Sequence, residues 1–193
     1  MSRTQYIFID SENVHEKDLS RVANKTAIVN LILGARQQST WNKIEQQVEK
    51  LGEKAGLTRT PSTGKNALDF VLALEVGMQA AIDPDGYFHI ISKDKGFDVL
   101  VKHLKEKGIL AARRECLAEI PALLTTEERF EKLLSDLKNP KASRPQSRKS
   151  LASTIHQAFD RALNEEVIEK TIRYLIHDRI LKILETGKVI YFT

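Results

Sequence analysis

The sequence is poor in cysteine and has no long apolar run. Cys116 is the only cysteine among 193 residues, which excludes a disulfide framework and a cysteine-based zinc site. No apolar run approaches the ~20 residues that a membrane-spanning helix needs, and the first apolar run already ends at Asp10, unlike a secretory signal. We therefore expect an intracellular, cytoplasmic protein with no membrane partner.

Glycine-rich nucleotide-binding motifs are also missing. The chain contains neither Gly-x-Gly-x-x-Gly nor a Walker-type lysine loop, so nothing predicts a nucleotide cofactor. The formal net charge is +4 and the pI is about 9.1, which mildly favours an anionic partner. All of that excess lies in residues 138–150, without which the chain is nearly neutral. This segment holds no acid and five cations, namely Lys138, Lys141, Arg144, Arg148 and Lys149.

The most informative stretch of the chain is Tyr87–Asp98. Its apolar, β-branched and aromatic beginning predicts a strand buried on both faces of a sheet, and this strand stops at Ser92 and Asp94. Helical spacing of apolar residues follows, at Phe97, Leu100, Val101 and Leu104. Asp94 therefore stands where a central strand gives way to a helix, which is the edge of an α/β sheet where ligands bind.

A second strand ends in the same way near the start of the chain. The apolar run Tyr6–Ile9 stops at Asp10. If both runs are parallel neighbours, Asp10 and Asp94 meet at the carboxyl edge of the sheet, where two unpaired carboxylates repel each other. A divalent cation removes that conflict, and hard oxygen ligands suit Mg²⁺ or Mn²⁺.

The remaining patterns predict strands that alternate with helices, and hence a Rossmann-like parallel sheet flanked by helices. The predicted first domain spans residues 1–137. After the first strand, its predicted elements are a short helix within 15–24, a strand at 26–33, a helix capped by Ser39 or Thr40 and running to Leu51, a strand at 57–60, a helix at 66–81, the strand and helix already described, a strand at 109–112 and a helix around 130–137.

The sequence predicts that the C-terminal part forms a separate small domain. Residues 138–150 are rich in proline, serine and cations, which predicts a disordered or extended linker. Residues 151–193 show two helical stripes and then a strand–turn–strand pattern around Glu185–Gly187, the latter part of a winged-helix plan with α+β character. A unit this small is marginal alone, so we expect it to pack on the first domain or to dimerise.

Four acids are candidates for the chemistry of the first domain. They are Asp10, Asp69, Asp94 and Asp98, and such a cluster can hold one or two Mg²⁺ ions, which activate water and stabilise the leaving oxygen in phosphodiester hydrolysis. Lys65 or Lys93 can offset phosphate charge. Asn13 and Ser92 can fix a water molecule or a phosphate oxygen by neutral hydrogen bonds.

Three motifs, Phe8–Val14, Lys65–Glu75 and Ser92–Asp98, resemble those of the PIN-like nucleases, most closely their NYN branch. The resemblance runs from about Tyr6 to Arg114 and implies a Rossmann-like sheet and a metal-dependent endonuclease, usually acting on RNA. It places the family's metal-binding and supporting residues on Asp10, Asn13, Asp69, Ser92 and Asp94. Many members carry a further acid where this chain has Gly96, and Asp98 is the candidate replacement from the next helical turn.

Other interpretations of the same residues exist. Asp10 and Asp94 can be local caps, and Asp69 can simply pair with Lys65. A PIN-like module that binds RNA, or regulates through protein contacts, without cutting is a second functional hypothesis, supported by Gly96. A phosphoacceptor regulator is a third, but it needs an acceptor Asp at the end of a central strand, whereas Asp69 is predicted within a helix.

Overall fold

The computed structural model describes residues 3–16, 18–23, 25–37, 42–159 and 161–192. The chain forms two compact units, Met1–Leu123 and Leu124–Thr193. Within the described residues, no helix combines the length and the apolar character needed to cross a membrane.

The first unit is built on a five-stranded parallel sheet. Its strands are β1 (Gln5–Asp10), β2 (Ala27–Leu33), β3 (Ala55–Arg59), β4 (Tyr87–Ile91) and β5 (Leu110–Arg114), and their order is β3-β2-β1-β4-β5. Every neighbouring pair runs parallel, with Ile9 beside Ile91 at the ends of β1 and β4. The predicted parallel sheet flanked by helices is therefore confirmed. The chain leaves β1 towards one edge and returns at β4 towards the other, which opens a ligand crevice between their carboxyl ends.

Helices cover both faces of this sheet. They are α1 (Asn42–Leu51), α2 (Ala67–Ile82) and α3 (Phe97–Glu106). Successive side chains of a strand point to opposite faces, so β1 divides between two cores. Ile7 and Ile9 pack with the apolar side chains around β2 and α1, whereas Tyr6 and Phe8 pack under α2 and α3.

Two predicted features of the first unit differ or fall outside the described residues. The helix predicted within residues 15–24 is only a 3₁₀ turn, Ser20–Val22, among the residues described there. Asp18 explains why, because its Oδ1 accepts the Ser20 N–H at 2.8 Å and so favours a local turn. The predicted caps of α1, Ser39 and Thr40, lie outside the described residues.

Among its described residues, the second unit contains three helices and a hairpin. They are α4 (Thr126–Lys138), α5 (Arg148–Ala158), α6 (Glu165–His177) and the antiparallel strands β6 (Leu181–Ile183) and β7 (Val189–Tyr191). The helices begin at defined caps: Thr125 and Ser147 form capping boxes, and Asn164 accepts the Val167 N–H at 2.9 Å. One further bridge pairs Ser147 with Lys188.

The division between the units differs from the one expected from sequence. The predicted first domain ends at residue 137, but the contacts divide before α4, because Leu133 and Leu137 of that helix pack in the second core with Leu151 and Ile155. The predicted linker, residues 138–150, is also partly built into this unit. Its Arg144 stacks 4.4 Å above the ring of Tyr191, and α5 begins at Arg148.

Candidate functional site

Asp10 ends β1 as a fully buried carboxylate whose two oxygens are both engaged. Oδ1 accepts the backbone N–H groups of Glu12 at 3.0 Å and Asn13 at 3.3 Å. Oδ2 accepts the side-chain amide of Asn13 at 2.7 Å and the hydroxyl of Ser92 at 2.6 Å. Because Ser92 directly follows β4, this last bond joins the carboxyl ends of the two central strands.

The loop after β4 carries Asp94 out into solvent. The Ser92 hydroxyl, itself fully buried, accepts the Asp94 N–H at 3.0 Å, and Asp94 Oδ1 accepts the Gly96 N–H at 2.7 Å. A Cβ atom at residue 96 would stand 3.1 Å from Asp94 Oδ1, tighter than an ordinary contact. Gly96 therefore gives the Asp94 carboxylate room to fold onto its own loop.

Asp69 lies in the first turn of α2, just after Asn66, which adopts a left-handed backbone conformation with φ of 61°. Partial burial raises the pKa of Asp69, and the negative charges of Asp10, Asp94 and Glu12 raise it further. Asp69 and Asp94 line the same groove, and Ser92 ties the Asp94 loop to Asp10, so acids from three separate segments lie around this crevice. We call Asp10, Glu12, Asp69 and Asp94 the acid cluster.

Glu12 is the member that the sequence prediction missed. Its side chain lies against Gly34, at the end of β2, where an added Cβ would collide with Glu12 Oε1. The sequence held a signal, since Glu12 follows Asp10 by two residues in the same motif and Gly34 closes the neighbouring strand. Gly34 thus makes room for a carboxylate beside the crevice.

Asp98, in contrast, is directed to another partner. Its Oδ1 accepts the Nε–H of Arg113 on β5 at 2.8 Å, and it is not among the charges that raise the pKa of Asp69. Arg113 also donates from Nη1 to the Ser92 carbonyl at 2.9 Å. The structure therefore does not bring Asp98 together with the acid cluster; Arg113 on β5 binds its carboxylate instead.

Cations line one of two grooves beside the cluster. The first, the basic groove, encloses about 360 Å³ and is lined by Glu12, Arg36, Ser62, Thr63 and Lys65 among others. Lys65 was predicted, whereas Arg36 was not, although it lies in the loop that follows β2. Lys93 is exposed beside Asp94.

Glu75 is turned away from the acid cluster, and its Oε2 accepts a hydrogen bond from Asn30 Nδ2 at 3.4 Å.

The second, apolar groove encloses about 510 Å³ between α2 and α3. Asp69 and Asp94 lie on its wall, together with Phe70, Val99 and His103. Asp69 and Asp94 thus line the apolar groove, whereas Glu12 lines the basic groove.

The acid cluster fits a divalent cation in its chemistry but is not assembled as a coordination shell. Its donors are carboxylate oxygens, which suit Mg²⁺ or Mn²⁺. Among the described residues, no group of three or more His, Cys, Asp or Glu side chains is close enough to hold an ion.

Comparisons with known proteins agree with this architecture. The PIN domain family model matches residues 4–114, which is more than half of the chain and covers the five-stranded sheet and the acid cluster. No curated protein and no solved structure matches the chain significantly. On the strength of the family match, the chain belongs to the PIN domain family.

Proposed function

We propose that this protein is a metal-dependent endoribonuclease of the NYN branch of PIN-like proteins. PIN domains are generally nucleases and typically use divalent metals. The observation that carries the proposal is that Ser92 links Asp10 to the Asp94 loop at the switch point between β1 and β4, where Asp94 and Asp69 line one groove. Like charges gathered in one crevice favour a cation between them.

Within this proposal the acids divide into two roles. Asp69 and Asp94 line the apolar groove and would hold the Mg²⁺ or Mn²⁺ ion together with Asp10. An ion bound there would supply an activated water molecule and offset charge on the scissile phosphate. Asp10 also positions the site, because it binds the hydroxyl of Ser92 and the amide of Asn13.

Cations near the cluster suit an anionic backbone. Lys65 and Arg36 in the basic groove, with Lys93 on the Asp94 loop, would contact phosphates on either side of the cleaved bond. Ser62 and Thr63 offer hydroxyl groups in the same groove. Binding through such contacts weakens as salt concentration rises.

The second unit is proposed to be winged-helix-like and to help hold the substrate. Support comes from its order of elements, in which α4, the Ser147 bridge, α5 and α6 precede the β6–β7 hairpin. Two cations of this unit already have acidic partners: Lys170 pairs with Glu166 at 2.7 Å, and Arg148 pairs with Glu169. The exposed Lys141 and Lys149 are the better candidates for phosphate contacts.

A second candidate function is an RNA-binding module that does not cut. Two observations favour it. Gly96 stands at the position where many members of the NYN branch carry an acid. Among the described residues, no group of three or more His, Cys, Asp or Glu side chains is placed to hold a metal ion. This hypothesis requires RNA binding that is unchanged by EDTA and gives no products.

The two functions separate in a cleavage assay with labelled single-stranded RNA. Wild type, Asp69→Asn and Asp94→Asn are each incubated with Mg²⁺, Mn²⁺ or EDTA, and a DNA strand of the same sequence tests the preference for RNA. Asp98→Asn is the matched control, because it makes the same chemical change four residues from Asp94 on an acid held by Arg113.

The nuclease proposal expects metal-dependent products from wild type and Asp98→Asn, and a loss of at least about 100-fold in rate for the two cluster variants. Binding without products in every sample would instead establish the binding module. Equal rates in wild type and Asp94→Asn would refute the assignment of the site.

A further inference from the structure

The side chain of Gln37 closes the turn that follows β2. Its Oε1 accepts the Gly34 N–H at 3.3 Å, and its own backbone N–H donates to the Gly34 carbonyl at 3.1 Å. Gln37 therefore binds both backbone polar groups of the residue that begins the turn. A turn closed by a side chain as well as by the backbone has fewer conformations open to it than one closed by the backbone alone.

The same amide binds this turn to the end of β1. Oε1 accepts the hydroxyl of Ser11, which is fully buried, and Nε2 donates to the Ser11 carbonyl at 2.9 Å. One side chain thus pairs with a donor and an acceptor of a residue 26 positions away. Both bonds form in only one orientation of the amide, so they fix the direction of the turn as well as its distance. We call the bonds from the Gln37 amide to Gly34 and Ser11 the Gln37 clamp.

The residue that this turn presents is Arg36. It is exposed and lines the basic groove with Glu12 and Lys65. Ser11 directly precedes Glu12 and directly follows Asp10, so the clamp sets the turn against the motif that carries two members of the acid cluster. An exposed arginine loses conformational entropy when it binds a phosphate, and the loss is smaller when its backbone is already fixed.

We propose that Gln37 is a positioning residue for substrate binding, which sets Arg36 where it can bind a backbone phosphate while the scissile phosphate lies at the acid cluster. This rests on the proposed function and assigns to Gln37 the alignment between phosphate binding and the acids. Gln37 acts through Arg36 and does not contact the nucleic acid itself. The hydrogen bonds that hold the Asp10 carboxylate come from other residues, so they survive the loss of Gln37.

The test measures binding of a fluorescently labelled single-stranded RNA in EDTA over a series of salt concentrations, and then its cleavage with Mn²⁺. Gln37→Met removes the clamp but keeps the length of the side chain, and Gln37→Ala removes it with a shorter one. Gln46→Met is the matched control, because it makes the same change at an exposed glutamine of α1. Arg36→Ala and the double variant Arg36→Ala/Gln37→Met complete a cycle that measures the coupling between the two residues. Circular dichroism checks that each variant is folded.

Arg36→Ala is expected to weaken binding and to lower the slope of log K against log salt concentration by about 1. Gln37→Met and Gln37→Ala should raise the dissociation constant at least about threefold and lower the slope in the same direction, whereas Gln46→Met should bind like wild type. The double variant should bind no more weakly than Arg36→Ala, because the clamp acts through that arginine. In cleavage, Gln37→Met should raise KM and leave kcat within about twofold of wild type.

Losses that add in the double variant would overturn the proposal, because Gln37 would then act independently of Arg36. Unchanged binding by both Gln37 variants would overturn it as well, and so would a wild type that binds no RNA. Unfolding of both variants would assign Gln37 to stability alone and also overturn it. Coupled RNA binding without any products would refute the nuclease function and leave the role of Gln37 supported, so the two failures are distinguishable.

Discussion

Asp10→Ala should destabilise the first unit far more than Asp94→Ala. The Asp10 carboxylate is fully buried and accepts four hydrogen bonds, whereas Asp94 is exposed and accepts one from Gly96. Removal of Asp10 leaves the Ser92 hydroxyl without its acceptor in a place that water does not reach. A buried donor left unsatisfied costs about 1–3 kcal/mol, and hydrogen bonds to a charged group contribute about 1.5–3 kcal/mol each.

Relief from burying a charge offsets part of that loss, and the exposed amide of Asn13 can turn to water. We therefore expect Asp10→Ala to lower the free energy of unfolding by about 3 kcal/mol, and Asp94→Ala by about 0.5–1 kcal/mol. Relative to the 5–15 kcal/mol typical of a domain, the first is a large fraction.

The assay is hydrogen exchange of the β1 and β4 amides in the metal-free protein, supported by urea unfolding. Exchange of central-strand amides reports the opening of the first unit by itself. Equal protection in the two variants would refute the reasoning, since the network around Asp10 would then add nothing. If the difference is found, loss of cleavage in an Asp10 variant cannot by itself identify a metal ligand, and the Asp69 and Asp94 variants become the decisive ones.

Three further predictions concern titration and charge. Burial, with a smaller effect from the Arg114 charge, lowers the pKa of His89 to about 4 from 6.5. The free energy of unfolding of wild type should therefore fall by about 3 kcal/mol between pH 6.5 and pH 4, because the unfolded chain binds the proton first. Urea titrations of His89→Gln should show a correspondingly smaller fall. Burial and the neighbouring acids raise the pKa of Asp69, so its charged form destabilises the folded protein at neutral pH. Asp69→Asn should therefore be more stable than wild type at pH 7 in EDTA, and urea titrations should show this gain disappearing in acid. Asp98→Asn breaks an ion pair whose acid is 57% exposed and should cost less than about 1 kcal/mol in the same titrations.

The sequence predicted most of the sheet because its strands end abruptly in polar residues. Apolar runs that stop at Asp10 and Ser92 placed the ends of β1 and β4 within a residue or two. The start of α2 was also close, at Asn66 in the prediction and Ala67 in the structure. This helix was recognisable by its length and its strongly apolar composition over 16 residues rather than by a sharp division into an apolar and a polar face.

What sequence reasoning could not supply was the direction of individual side chains. Asp98 stands one helical turn from Asp94, so spacing alone treats both as ligands, but the guanidinium of Arg113 on β5 determines where Asp98 points. The role of Glu12 depends on Gly34, which is 22 residues away. The boundary before α4 likewise depends on which core receives Leu133 and Leu137, a tertiary choice that helical periodicity does not encode.

The strand order also bears on how this protein can change over evolutionary time. The ends of β1 and β4 carry Asp10, Ser92 and Asp94, and they are joined to each other through the interior of the sheet. Arg36 and Lys65 instead belong to the loops that follow β2 and β3, on one side of that junction. Under the proposed function, mutations in the loop after β2 would alter which nucleic acid is bound while Asp10 and Asp94 keep their positions. Lys65 is less independent, because it lies four residues before Asp69 at the start of α2. Substrate preference is therefore separable from the acids mainly through the loop that carries Arg36.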